Sequence, residues 1–92
     1  MNADELRDEH DEQAETLKRT YDVLARFTDR LGAIRAGNAQ KRTIRKVRQL
    51  LALVQRFAES SPADRRDEYA RIEAAASAAI QRHWEAAPAW RK

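Results

Sequence analysis

The chain has ninety-two residues, 36% charged and 42% hydrophobic. That composition describes one small domain with a modest core, because a chain of this size buries only about 60–65% of its unfolded surface. There is no cysteine, which excludes disulfides and thiolate metal sites. The formal net charge of +3 hides a segregation: residues 1–16 sum to −6, residues 17–59 to +8 and residues 60–92 to +1.

The first helix is expected from about Ala3 to Ala36, its acidic first turns suiting the helix dipole. Its apolar stripe is Leu6, Leu17, Tyr21, Leu24, Phe27, Leu31 and Ile34. Leu17, Leu24 and Leu31 recur every seven residues, a seam suited to a short coiled coil or to intramolecular packing. Gly32 lowers helix propensity and suggests close packing instead. Gly37 reads as the left-handed residue that ends this helix, with Asn38 capping the next.

The second helix is expected from about 38 to 58, and it has two halves. At 100° per residue, Ile44, Val47, Leu50, Leu51, Val54, Phe57 and Ala58 fill one half. Lys41, Arg42, Arg45, Lys46, Arg48, Gln49 and Arg56 fill the other, where Leu53 is the only large apolar residue. No acid appears in this stretch before Glu59. The run Ser60-Ser61-Pro62-Ala63-Asp64 then reads as a helix start, with Ser61 as N-cap, Pro62 as N1 and Asp64 as N3.

The third helix is expected from about 62 to 86, followed by a short tail over 87–92. It should bury Tyr69, Ile72, Ala75, Ala76, Ala79, Ile80, His83 and Trp84. Its many alanines make it thin, so it can approach a neighbour closely while burying little area. Short connections make consecutive helices antiparallel neighbours. The expected fold is therefore all-α: an antiparallel, up-down-up three-helix bundle with a long first helix and coiled-coil-like packing. Folding the chain at residue 37 sets position 37−k beside 37+k. The acidic first turns then overhang the second helix or meet only the start of the third.

Chemistry is sparse. The only glycines are Gly32 and Gly37, so no phosphate-binding loop is present. Ser60 and Ser61 read as loop and cap, and Ser77 has no evident base. His10 lies among carboxylates and reads as part of a solvated acidic helix end, while His83 reads as a buried imidazole bonded to a polar neighbour. No cofactor and no metal site are expected. Trp84 borders the core face, and Trp90 lies beyond Pro88 as a lid or partner anchor.

The segment from Glu5-Leu6-Arg7 through Leu31-Gly32-Ala33-Ile34-Arg35-Ala36 resembles the first helix of the small all-helical chorismate mutases. That family is similar in length and builds an intertwined dimer from three helices. The resemblance implies Arg7 at the N-terminal catalytic arginine, Arg35 at the basic residue after the helix glycine and Lys46 near a second-helix arginine. Leu24 stands where the family's second arginine of the first helix is needed, and Val47 where a glutamate would bind the substrate hydroxyl. The third helix offers Gln81 without a match around it. A dicarboxylate substrate whose charge shifts in the reaction needs several converging cations, and few are placed here.

The reading this supports is a non-enzymatic protein-protein interaction module: an adaptor, a small inhibitor or a regulatory subunit. Lys41, Arg42, Arg45, Lys46, Arg48 and Arg56 are the expected contact surface for a protein with an acidic surface. Asp4, Asp8, Asp11, Glu12 and Glu15 form a second, acidic contact surface. The small core and the unmatched acidic start make a homodimer the expected oligomer. Nucleic acid held by the basic face is the alternative ligand, although no aromatic residue interleaves with the bases for stacking. A chorismate-mutase-like enzyme is the third reading. The acidic start is the opposite of a secretory n-region, and the aliphatic run Leu50 to Val54 is far too short for a bilayer. The expectation is a cytoplasmic protein without membrane contact.

Overall fold

The computed structural model describes residues 3–86, with side chains from residue 12 onward except that of Ser60. Three α-helices follow in order: α1 (Ala3–Ala33), α2 (Lys41–Arg56) and α3 (Arg66–Ala86). Two short 3₁₀ turns, Ala58–Ser60 and Ala63–Arg65, bridge α2 and α3. Every helix packs on the other two, with no strand among the described residues. The result is an all-α three-helix bundle, 56 Å long and 22 by 16 Å across.

The periodic apolar positions build the core. Leu17, Tyr21, Leu24 and Leu31 of α1 are buried with Ile44, Val47 and Val54 of α2 and with Tyr69, Ala76 and His83 of α3. Phe27, Ile34, Leu50, Leu51, Ile72, Ala79 and Ile80 flank them, half-buried. The seven-residue seam of α1 is therefore its buried edge. Three expected apolar-face positions lie outside it. Ala75 is exposed, and Phe57 is 48% exposed because α2 ends one residue earlier and the chain turns away. Ala58, expected on the apolar half, is exposed in the 3₁₀ turn.

Helix α1 runs antiparallel to α2 and parallel to α3. Leu53 and Phe57 line a cleft with Thr16, Leu17 and Thr20, close to the pairing expected from a fold at residue 37. On the other side, Tyr21 stacks on Tyr69 with ring centroids 3.7 Å apart and planes 10° from parallel. Helix α1 has 31 residues against 16 in α2. At about 1.5 Å of rise per residue, it is nearly twice as long. Glu12 lies beside Phe57 just past the end of α2, so the residues of α1 before it run on beyond that end of α2. The side chains of Leu6 and His10, and the tail over 87–92 with Trp90, lie outside the described residues.

The α1–α2 joint differs from expectation in instructive ways. Helix α1 stops at Ala33, not Ala36, because side chains of α3 take its last carbonyls. Arg82 donates Nη1 to the Gly32 carbonyl at 3.3 Å and Nη2 to the Ile34 carbonyl at 3.4 Å. A cation at a helix C-terminus also opposes the negative end of the dipole. Gly37 lies in the following turn, where the Asn38 N–H donates to the Arg35 carbonyl at 2.9 Å. Its φ of 86° suits the third position of a type II turn, where glycine is favoured. A Cβ there would lie 2.7 Å from the Ala86 carbonyl oxygen, so the close approach requires glycine as well. Gly32, expected to permit close packing, is exposed and has nothing within 4 Å of a built Cβ.

The expected caps are also replaced. Gln40, not Asn38, precedes α2 and makes no side-chain cap bond; its carbonyl accepts from the Thr43 and Ile44 N–H groups at 3.0 and 3.2 Å. Pro62 is not the first residue of α3 but precedes the second 3₁₀ turn in extended conformation, without a side-chain cap. Its carbonyl accepts from the Arg65 N–H at 3.0 Å. Asp64 falls inside that turn and Ser61 ends the first one. In both joints backbone turns do what polar side chains were expected to do.

Candidate interaction surface

Helix α2 faces the core with Ile44, Val47 and Val54, flanked by half-buried Leu50 and Leu51, which turns its opposite side to solvent. Lys41, Arg42, Arg45, Lys46, Arg48 and Arg56 are all exposed. The ion pairs found among the described residues, Glu15–Arg19 and Arg65–Glu68, both at 3.6 Å, lie elsewhere. Arg48 is the member that leans inward, its guanidinium 6.0 Å from the Trp84 ring centroid, at the outer limit of a cation–π contact. The first turn of α2 contains no acid and two bases, Lys41 and Arg42. Positive charge at a helix N-terminus opposes the dipole, and no side-chain cap compensates.

The acidic set is partly described. Glu12 and Glu15 are exposed on α1, and Glu15 pairs with Arg19 across one helical turn. Such an exposed pair contributes at most a few tenths of a kcal/mol. The side chains of Asp4, Asp8 and Asp11 lie outside the described residues. Glu12 lies at the far end of α2, near Phe57, away from Lys41 to Arg48, and Glu15 faces Arg19 on its own helix.

That end of α2 holds a feature the periodicity did not reveal. Leu53 is 41% and Phe57 48% exposed. With Leu17 and the rim of Glu12, Gln13, Thr16 and Thr20 they form a cleft of about 250 Å³ between α1 and α2. The Thr20 hydroxyl donates to the Thr16 carbonyl at 2.8 Å, so it is engaged within the helix and not held out to a ligand. Leu53 was legible as an apolar residue on a basic face. Phe57 read as core because the helix was taken two residues too far.

His83 is fully buried and occupied. The Gly37 N–H donates to Nδ1 at 3.1 Å, which fixes Nδ1 as the acceptor. Nε2, 2.7 Å from the Leu31 carbonyl, must then carry the proton and donate it. The imidazole thus ties α3 to the end of α1 and to the turn after it. This matches the expected buried histidine with a polar neighbour. Arg82, which shares the task, had no signal in the sequence beyond its place next to His83.

For mutase chemistry the geometry is unpromising. Leu24 and Val47, the positions where the family needs an arginine and a glutamate, are fully buried in the core. Arg35 is exposed in the α1–α2 turn and Lys46 on the outer side of α2, while Arg7's side chain lies outside the described residues. Among the described residues no group of three or more His, Asp or Glu is placed to hold a metal ion. No described helix is long and apolar enough to cross a membrane. Compared with known protein families, curated proteins and solved structures, the chain matches none.

Proposed function

We propose that the chain is a non-enzymatic interaction module whose basic α2 face docks on an acidic surface of a partner protein. One observation carries this reading. Six exposed cations crowd a helix of sixteen residues, outside any ion pair described, and two of them sit where they oppose the helix dipole. Lys41 and Arg42 weaken the start of the helix, and apart from Arg48 beside Trp84 and Arg56 in the last turn the set returns little to the fold, which is the expected mark of a surface kept for binding. Charge complementarity would then set orientation and association rate. Adaptor, small inhibitor and regulatory subunit are the roles such a module fills.

The test is affinity capture from the native cell with the unaltered chain and with Arg45→Glu/Arg48→Glu. Recovery of a stoichiometric acidic protein with the first and its loss with the second is the expected result. Nucleic acid is the competing ligand of the same face. It replaces the proposal if duplex or single strands bind at low salt, release steeply as salt rises and fail to bind the reversed variant. Conversion of chorismate to prephenate, abolished by Arg7→Ala, would move the chain to the enzyme reading.

A further inference from the structure

Three surface features lie in sequence along one edge of the bundle. On α2, Arg42, Lys46 and Leu53 share a side, since steps of four and seven residues return within about 40° at 100° per residue, and Phe57, just past the helix end, lines the same cleft as Leu53. All four are exposed. The α1–α2 cleft lies beside Leu53 and Phe57, and Glu12 of α1 forms its outer rim. Beyond Glu12 continues the α1 overhang, part of the segment 1–16 that sums to −6. Read from the α1–α2 turn outward, the edge is basic, then apolar, then acidic.

The spacing is close to symmetric about the apolar centre. Lys46 precedes Leu53 by seven residues, about 10 Å along α2. Thr20 lines the cleft with Leu53, and Glu12 lies eight residues from Thr20, about 12 Å along α1 in the opposite direction. A strip ordered in this way is self-complementary under two-fold rotation, the symmetry of most homodimers. An axis across the strip near Leu53 would set the basic end of each copy against the acidic end of the other. It would also close the two apolar centres on each other and lay each overhanging α1 along a neighbouring α2.

We propose that the occupant of the Leu53–Phe57 cleft is a second copy of this chain, docked antiparallel through this strip. The proposal deepens the binding role given to α2 and rests on it for Arg42 and Lys46. It leaves Arg45 and Arg48, turned away from the centre of the strip, outside the dimer contact.

The full chain, followed by sedimentation velocity across a wide concentration range, should form a dimer that weakens as salt rises. Leu53→Gln/Phe57→Gln should weaken it at least about tenfold, the loss expected for central apolar anchors. Both residues are exposed, and circular dichroism should show unchanged helix content. Lys46→Glu alone and Glu12→Lys alone should each weaken the homodimer. Mixed together, the two single variants should restore association as a heterodimer, because both charge contacts become complementary again. A chain monomeric at every concentration overturns the proposal, as does a dimer indifferent to the Leu53/Phe57 change or a mixture that does not recover. A monomer that still captures an acidic protein through Arg45 and Arg48 removes the dimer and leaves the earlier reading standing. A dimer that behaves as described, beside capture unaffected by Arg45→Glu/Arg48→Glu, does the reverse.

Discussion

Tyr21 and Tyr69 meet ring to ring between α1 and α3, yet their hydroxyls differ. Tyr21 donates to Glu73, whereas the Tyr69 hydroxyl is buried with no partner among the described residues. An unpaired buried hydroxyl costs stability that its removal returns. Tyr69→Phe should therefore be neutral or stabilising, while Tyr21→Phe should lose about 1 kcal/mol, as read from urea unfolding midpoints at constant slope. Burial raises both phenols; for Tyr21 the Glu73 charge and hydrogen bond add to it, pushing its pKa up to about 12 from 10.0. The raised value means that folding favours the protonated phenol. Its stabilisation is complete below pH 10 and fades as pH rises toward about 12. The chain holds just these two tyrosines, so phenolate absorbance should show no ionisation in the ordinary range and should rise together with alkaline unfolding. A separate tyrosine step near pH 10, with the fold intact, would contradict the buried pair. Both tyrosines were legible as core from their spacing. Their face-to-face contact and unequal hydroxyls were not, because these depend on the register of α1 against α3.

At the scale of elements, the α1–α2 joint separates two glycines that look alike in sequence. Gly37 has a φ of 86° and carries Ala86 against its Cα. Gly32 has ordinary helical φ near the end of α1 and open space around it. Gly32→Ala should raise stability by about 0.5–1 kcal/mol, since alanine reduces the freedom of the unfolded chain and fits the site. Gly37→Ala should instead destabilise by more than that, from strained φ and from separation of Ala86 and His83. Equal effects at the two sites, in one thermal or chemical unfolding series, would refute this account. The sequence marked Gly37 as a left-handed position, which holds. It put the position at the end of a helix and not in a turn, because Arg82 and His83, some fifty residues on, are what draw the α1 carbonyls away from further helix.

At the scale of the whole molecule, the length difference between α1 and α2 and the distribution of charge act together. The basic helix starts with Lys41 at its first turn, against the dipole and without a cap. Lys41→Glu should therefore raise unfolding stability by about 0.3–1 kcal/mol at low salt while weakening capture of an acidic partner. Loss of stability on that change would mean that the basic face supports the fold after all. The sequence by itself determined the three helices, the seven-residue seam of α1, the two-sided character of α2 and the greater length of α1, because hydrophobic period and helix length are local properties. Tertiary structure alone decided where α1 ends, that backbone turns replace the expected caps, and that Phe57 stands outside the core beside Leu53. Each of these depends on which distant side chain or helix end lies alongside, and a short chain with a small core leaves such neighbours to packing.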